Sequence, residues 1–167
     1  MTEQLPLFDL PVPVWPFAGL ERGAYQILTA DPPWRFTTYS QKGKLKKSAE
    51  CHYATMTLDD IKALPVSELA APDAALFLWG TAPMLLEMLA VADAWGFQYK
   101  THGVWVKQTV TGKLSFGTGY RRRGSHEVYG IFTRGNPKNT KSERSVIMAP
   151  ARAHSRKPEA FYALVAR

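Results

Sequence analysis

Short apolar runs alternate along the chain with polar stretches rich in glycine, proline or charge. Tyr25–Ala30 is a compact apolar run ended by Asp31-Pro32-Pro33, and it predicts a buried strand. Thr57 followed by Leu58-Asp59-Asp60 has the form of an N-cap with acids in the first turn, predicting a short helix to about Leu64. Ala74–Trp79 predicts a second buried strand. Thr81 and Pro83 open a helix over Met84–Trp95 that Gly96 stops. Tyr99–Lys107, Glu127–Thr133 and Ser145–Met148 predict three more strands, and Pro158 opens a last helix. This alternation of strand and helix is that of an α/β domain with a mainly parallel sheet. In such open sheets ligands bind beyond the carboxyl ends of the strands, where Asp31-Pro-Pro-Trp34 falls.

Two stretches lie outside this alternation. Leu5–Phe17 carries Pro6, Pro11, Pro13 and Pro16, a spacing that admits neither a helix nor a central strand. Residues 1–22 are therefore expected to form an extended arm anchored by Phe8, Val14 and Trp15, with the globular domain spanning 23–167. The loops Arg35–Glu50 and Gln108–Gly124 concentrate positive charge at Lys42, Lys44, Lys46, Lys47 and at Arg121, Arg122, Arg123.

Composition narrows the classes. The chain has 167 residues, 46% hydrophobic and 21% charged, the values of one globular domain. Its 21 Lys+Arg against 14 Asp+Glu leave a net charge of +7, which favours a polyanionic partner such as nucleic acid. One cysteine, Cys51, excludes an intrachain disulfide, and a cytoplasmic location is the expectation. Met1–Gly19 lacks the pattern of a signal peptide, and no apolar run has the length of a membrane span. The histidines His52, His102, His126 and His154 have no metal-ligand spacing, so no metal is assigned.

The tetrad Asp31-Pro32-Pro33-Trp34 carries the most chemistry. Each proline pushes the residue before it out of the helical region, so a rigid, extended segment is expected. Neither proline has an N–H, and the Asp31 carboxylate and Pro32 carbonyl can both accept from an exocyclic amine. Accepting both N–H bonds would draw that nitrogen toward tetrahedral geometry and free its lone pair. Trp34 would offer a stacking face for the base. The competing reading is a tight turn with Trp34 in the core.

These segments together resemble the MT-A70 family of adenine-N6 methyltransferases. Ala30-Asp-Pro-Pro-Trp34 matches the family's catalytic motif, and His52-Tyr-Ala-Thr-Met56 resembles its Y-x-T-M segment. Leu76-Phe-Leu-Trp-Gly-Thr81 and Trp105-Val-Lys107 resemble two of its strands. Gly119-Tyr-Arg, His126-Glu127, Gly135-Asn-Pro137 and Ser155-Arg-Lys-Pro-Glu159 follow in family order. The resemblance implies a Rossmann-like methyltransferase fold and methyl transfer from S-adenosylmethionine to adenine N6 in nucleic acid. The compact chain resembles bacterial and phage members, which favours DNA over RNA. The catalytic residues implied are Asp31, Pro32, Pro33 and Trp34. Asp31, Lys157 and Ser155 would hold the donor. Trp34, Tyr53, Trp105, Lys107, Arg121, Arg123 and Glu127 would border the substrate, an ion pair of Glu127 with the arginines being the alternative.

The family continues past the last helix into a further strand that helps to hold the donor, whereas this sequence stops at Arg167. A sheet lacking its C-terminal strand is therefore expected. A catalytically inactive nucleic-acid-binding subunit of the same ancestry remains an alternative, as does methylation of a small molecule or protein. Either a homodimer or a heterodimer is compatible with this reading.

Overall fold

The sheet order follows from which segments can bury both faces and which only one. The computed structural model describes residues 15–35, 55–138, 141–152 and 156–166. Among them, five strands form one sheet in the order β1-β2-β4-β3-β5. The strands are β1 (Tyr25–Ala30), β2 (Ala70–Gly80), β3 (Gln98–Gln108), β4 (His126–Arg134) and β5 (Val146–Pro150). β1 runs parallel to β2, and β3 parallel to β5, while β4 lies antiparallel between β2 and β3. Four strands therefore point one way and β4 opposes them. β1 is an edge among the described strands, so only one of its sides is covered by a neighbour. Leu28 is buried while Ile27 is half exposed, where the sequence predicts burial throughout.

Period-two alternation divides the sheet's side chains between two cores. Ala74, Leu76 and Leu78 of β2 face one side, where they join Phe132 and the helices α1 (Leu58–Ala63), α2 (Val66–Leu69) and α3 (Leu85–Ala94). Phe77 and Trp79 face the other side, with Trp105, Tyr129, Ile147 and Phe161 of α4 (Glu159–Val165). Gly103 keeps the second core closed, because a Cβ there would lie 2.2 Å from the Tyr129 hydroxyl.

The helix boundaries follow the local chemistry. The Thr57 side chain caps α1 by accepting from the Asp60 N–H, as the sequence predicts. A 3-10 turn at Ala82–Met84 precedes α3, and Gly96 ends it with φ near +79°, a conformation that favours glycine. α2 is a four-residue helix that the sequence pattern does not reveal. Of the expected N-terminal anchors, Trp15 packs beside the first core together with Phe17, and Phe8 and Val14 lie outside the described residues. No helix among the described residues is long and apolar enough to cross a membrane.

Candidate active site

Strand direction brings four of the expected site residues, Asp31, Lys107, Glu127 and Lys157, to one edge. Because β1, β2, β3 and β5 run the same way, their carboxyl ends share that edge. Asp31 follows β1, Thr81 follows β2, and Lys107 lies in the last turn of pleat of β3. β4 runs in reverse, so its first residues, His126 and Glu127, reach the same edge. Lys157 enters from the segment between β5 and α4.

Four of these side chains form an alternating line of charge. Lys157 Nζ lies 2.7 Å from Asp31 Oδ2 and 3.2 Å from Glu127 Oε2. Lys107 Nζ pairs with the other oxygen of Glu127 at 2.5 Å. The Lys157 side chain is only 9% exposed, whereas that of Asp31 is 39% exposed. Lys157 thus bridges from the β1 end to the β4 start across β2, with its ammonium 5.0 Å from the ring centre of Trp79. The N-terminus of α4 is an unfavourable place for a cation, and the two carboxylates compensate.

The shared cation titrates the two acids differently. For Glu127, burial pushes the pKa up, but Lys157 and Lys107 together outweigh it and hold the carboxyl below its ordinary range. For Asp31, burial also pushes up; Lys157 opposes it, while the neighbouring Glu127 charge adds to the rise. Among the described residues Asp31 has one close lysine where Glu127 has two, and its pKa stays raised. Lys157 is shifted down by burial and up by the two carboxylates, which prevail, so it remains a firmly charged ammonium.

The tetrad is turned rather than extended. The Trp34 N–H donates to the Pro32 carbonyl at 2.8 Å, closing a three-residue turn around Pro33, whose fixed φ suits such a turn. The Pro33 carbonyl accepts from the Met56 N–H at 3.0 Å. The turn directs Trp34 inward, where it is 4% exposed and its indole N–H donates to the Trp79 carbonyl at 3.0 Å. The expected stacking face of Trp34 is therefore enclosed by core. Trp105 is likewise 2% exposed, its indole bonded to the Ala149 carbonyl, so it supports the edge from beneath. Both corrections have one cause: a large ring at a strand end beside two packed helical layers gains more from burial than from solvent.

Arg121 and Arg123 lie on an exposed loop, and neither they nor Arg122 pairs with Glu127; its partners are the two lysines. Tyr53 and Ser155 lie outside the described residues. Two polar atoms that the sequence did not single out are Trp79 Nε1 and Thr81 Oγ1, both buried without a hydrogen-bond partner among the described residues. They belong to Leu76–Thr81, which resembles a family strand but by its residue types alone indicates no role. Among the described residues no three His, Cys, Asp or Glu side chains gather as metal ligands.

A family model described as MT-A70 matches residues 25–167. The chain is 29% identical over 162 residues to the type II methyltransferase M.MunI of a Mycoplasma species, covering 86% of this chain and 67% of that protein. It is 29% identical over 148 residues to an MT-A70-like N(6)-adenosine-methyltransferase of Arabidopsis thaliana, covering 87% of this chain and 20% of that protein. It is 27% identical over 149 residues to the N(6)-adenosine-methyltransferase catalytic subunit METTL3 of Homo sapiens, covering 87% of this chain and 24% of that protein. The chain thus spans most of the bacterial relative and a minor part of the two eukaryotic ones. With the family model matching from β1 onward, through the Asp-Pro-Pro-Trp turn and the charged edge that it opens, the chain belongs to the MT-A70 family.

Proposed function

We propose that this chain methylates adenine N6 in nucleic acid, with S-adenosylmethionine as the methyl donor and DNA as the favoured polymer. The carrying observation is Asp31: a half-exposed carboxylate at a strand end, fixed by a proline turn and lined up with Lys157 and Glu127. The names of the eukaryotic relatives specify N(6)-adenosine, which supports the choice of atom. The preference for DNA rests on the resemblance to compact bacterial members.

The residues at the edge suit both ligands. Lys157 would meet a donor carboxylate, and Asp31 its ammonium. Trp79 Nε1 and Thr81 Oγ1 are buried donors with no hydrogen-bond partner among the described residues. The donor supplies a methyl group on a sulfonium, whose C–S bond breaks as the N6–C bond forms and whose sulfur leaves as a neutral thioether. Asp31 accepts one N–H of the target amine. The Pro32 carbonyl accepts from the Trp34 N–H among the described residues, and its second lone pair would take the other N–H. The nitrogen attacks first and then releases a proton through Asp31 to water, so no strong base is required. A base in a duplex must leave the stack to reach this edge.

Incubation with labelled donor and an adenine-containing duplex, single strand or RNA tests the proposal. Label on adenine N6 supports it; no transfer at high protein and donor concentrations overturns it. A second reading, a binding subunit without turnover, is favoured by the engagement of Asp31 Oδ2 with Lys157. Calorimetry separates the two: donor binding belongs to the enzyme, and strong nucleic-acid binding without donor binding belongs to the subunit.

A further inference from the structure

The connection from Lys107 to Glu127 is built as a narrow ribbon. The Ser115 N–H donates to the Lys107 carbonyl at 2.8 Å, and the Lys107 N–H to the Ser125 carbonyl at 2.8 Å. The Ser125 hydroxyl donates to the Ser115 carbonyl at 2.7 Å. Further out, Gly117 donates to the Gly124 carbonyl and Gly124 to the Thr118 carbonyl, each at 3.0 Å. The tip folds back at Arg121, which has φ 56°, and the Arg122 N–H donates to the Tyr120 carbonyl. A Cβ on Gly119 would lie 2.1 Å from the Arg122 carbonyl oxygen, so only glycine permits this turn. The backbone bonds fix the ribbon while its side chains face outward.

Those side chains are of two kinds. Phe116 is 82% and Tyr120 is 68% exposed. The Arg123 guanidinium lies 5.4 Å from the Phe116 ring centre, and that of Arg121 lies 5.8 Å from the Tyr120 ring centre. Aromatic rings and arginine are enriched at protein interfaces as well, but three consecutive arginines at one exposed tip of a chain with net charge +7 favour a polyanion. Rings interleaved with cations match the alternation of base and phosphate along a strand. Both roots of the ribbon, Lys107 and Glu127, belong to the charged edge at Asp31, so the ribbon joins the tip to that edge.

We infer that Phe116 and Tyr120 are stacking platforms for unpaired bases flanking the target nucleotide, while Arg121, Arg122 and Arg123 hold the phosphates between them. This rests on the proposed action on nucleic acid and adds the class of substrate, a locally single-stranded one. Stacking needs a free base face, so the rings act on single strands and the arginines on any strand.

The test is fluorescence anisotropy of a labelled oligothymidine and of a duplex of equal length, over several salt concentrations. Replacing both Phe116 and Tyr120 by alanine should weaken oligothymidine binding by about 25-fold, roughly fivefold per ring. Its salt slope should not change, and duplex binding should stay within about twofold. Tryptophan at both positions should retain the wild-type affinity, which guards against a folding defect, and a melt of each variant accompanies the titrations. Four results overturn the inference: no oligothymidine binding by wild type, unchanged affinity in the alanine variant, equal loss on duplex and single strand, or loss in the tryptophan variant too. If instead sedimentation shows a wild-type dimer that the alanine variant cannot form, with oligothymidine affinity unchanged, the rings bind a second copy and the inference fails. Oligothymidine has no adenine amine, so the result is independent of methyl transfer. Transfer without ring-dependent binding removes this inference alone, and ring-dependent binding without transfer removes the catalytic reading alone.

Discussion

Asp31 and Trp34, on either side of the two prolines, have opposite relations to solvent, and substitution should separate them. Asp31 is half exposed and its raised pKa means that ionising it disfavours the folded state. Asp31→Asn keeps the shape, removes that charge and leaves Lys157 with Glu127. The melting free energy should move by less than about 1 kcal/mol. Turnover should fall by about 100-fold or more, because the amide turns a donor toward the substrate's own N–H groups. Retained turnover in a methyl-transfer assay would remove Asp31 from the catalytic role. Trp34 is enclosed, and Trp34→Ala deletes a core ring together with its bond to the Trp79 carbonyl. It should cost about 3–5 kcal/mol in denaturant unfolding. A melt unchanged by this substitution would place the ring outside the core.

At the scale of elements, the strands, the Thr57 cap and the Gly96 stop were legible because each is set by local pattern and backbone geometry. Motif resemblance singled out Asp31, Lys107, Glu127 and Lys157, which the fold gathers at one edge, but not the pairs that they form there. Lys157 joins Asp31 to Glu127 only because β4 runs against its neighbours, a fact of topology rather than of local sequence. The enclosure of Trp34 and Trp105 depends in the same way on packed layers distant in sequence. The Lys157 bridge has a testable pH signature. Its folded pKa is raised above the ordinary 10.5, so its contribution to stability is complete below that value and is lost as pH rises through the folded pKa. Glu127, with a lowered pKa, contributes stability above the ordinary carboxylate value and loses it as pH falls through the folded pKa. Lys157→Met keeps the stem and removes the ammonium. The wild type should therefore melt higher than the variant throughout the neutral range, with a gap that persists to about pH 10 and narrows only beyond it. A gap that is absent at neutral pH, or closes well below the ordinary lysine value, contradicts the bridge.

At the scale of the whole molecule, a surplus of seven positive charges makes association with a polyanion dependent on salt, and the question is which residues carry that dependence. The lysines of the Arg35–Glu50 loop lie in sequence beside the proline turn, and Arg121, Arg122 and Arg123 form the exposed tip of the ribbon rooted at Lys107 and Glu127. Each phosphate contact releases counterions, so the binding constant for duplex DNA should fall by about 0.9 log units per contact for each log unit of salt. Replacing Arg121, Arg122 and Arg123 by alanine should flatten that slope by about two or three contacts. Donor binding should be nearly intact, because Asp31 and Lys157 do not touch these arginines. The sequence allowed a structural alternative in which the arginines pair with Glu127, but that carboxylate is taken by Lys107 and Lys157. The triple variant should accordingly melt within about 0.5 kcal/mol of wild type, as exposed substitutions usually do. Titrations of both proteins over a range of salt, beside a melt of each, give the answer: an unchanged slope means that the ribbon tip does not hold phosphates.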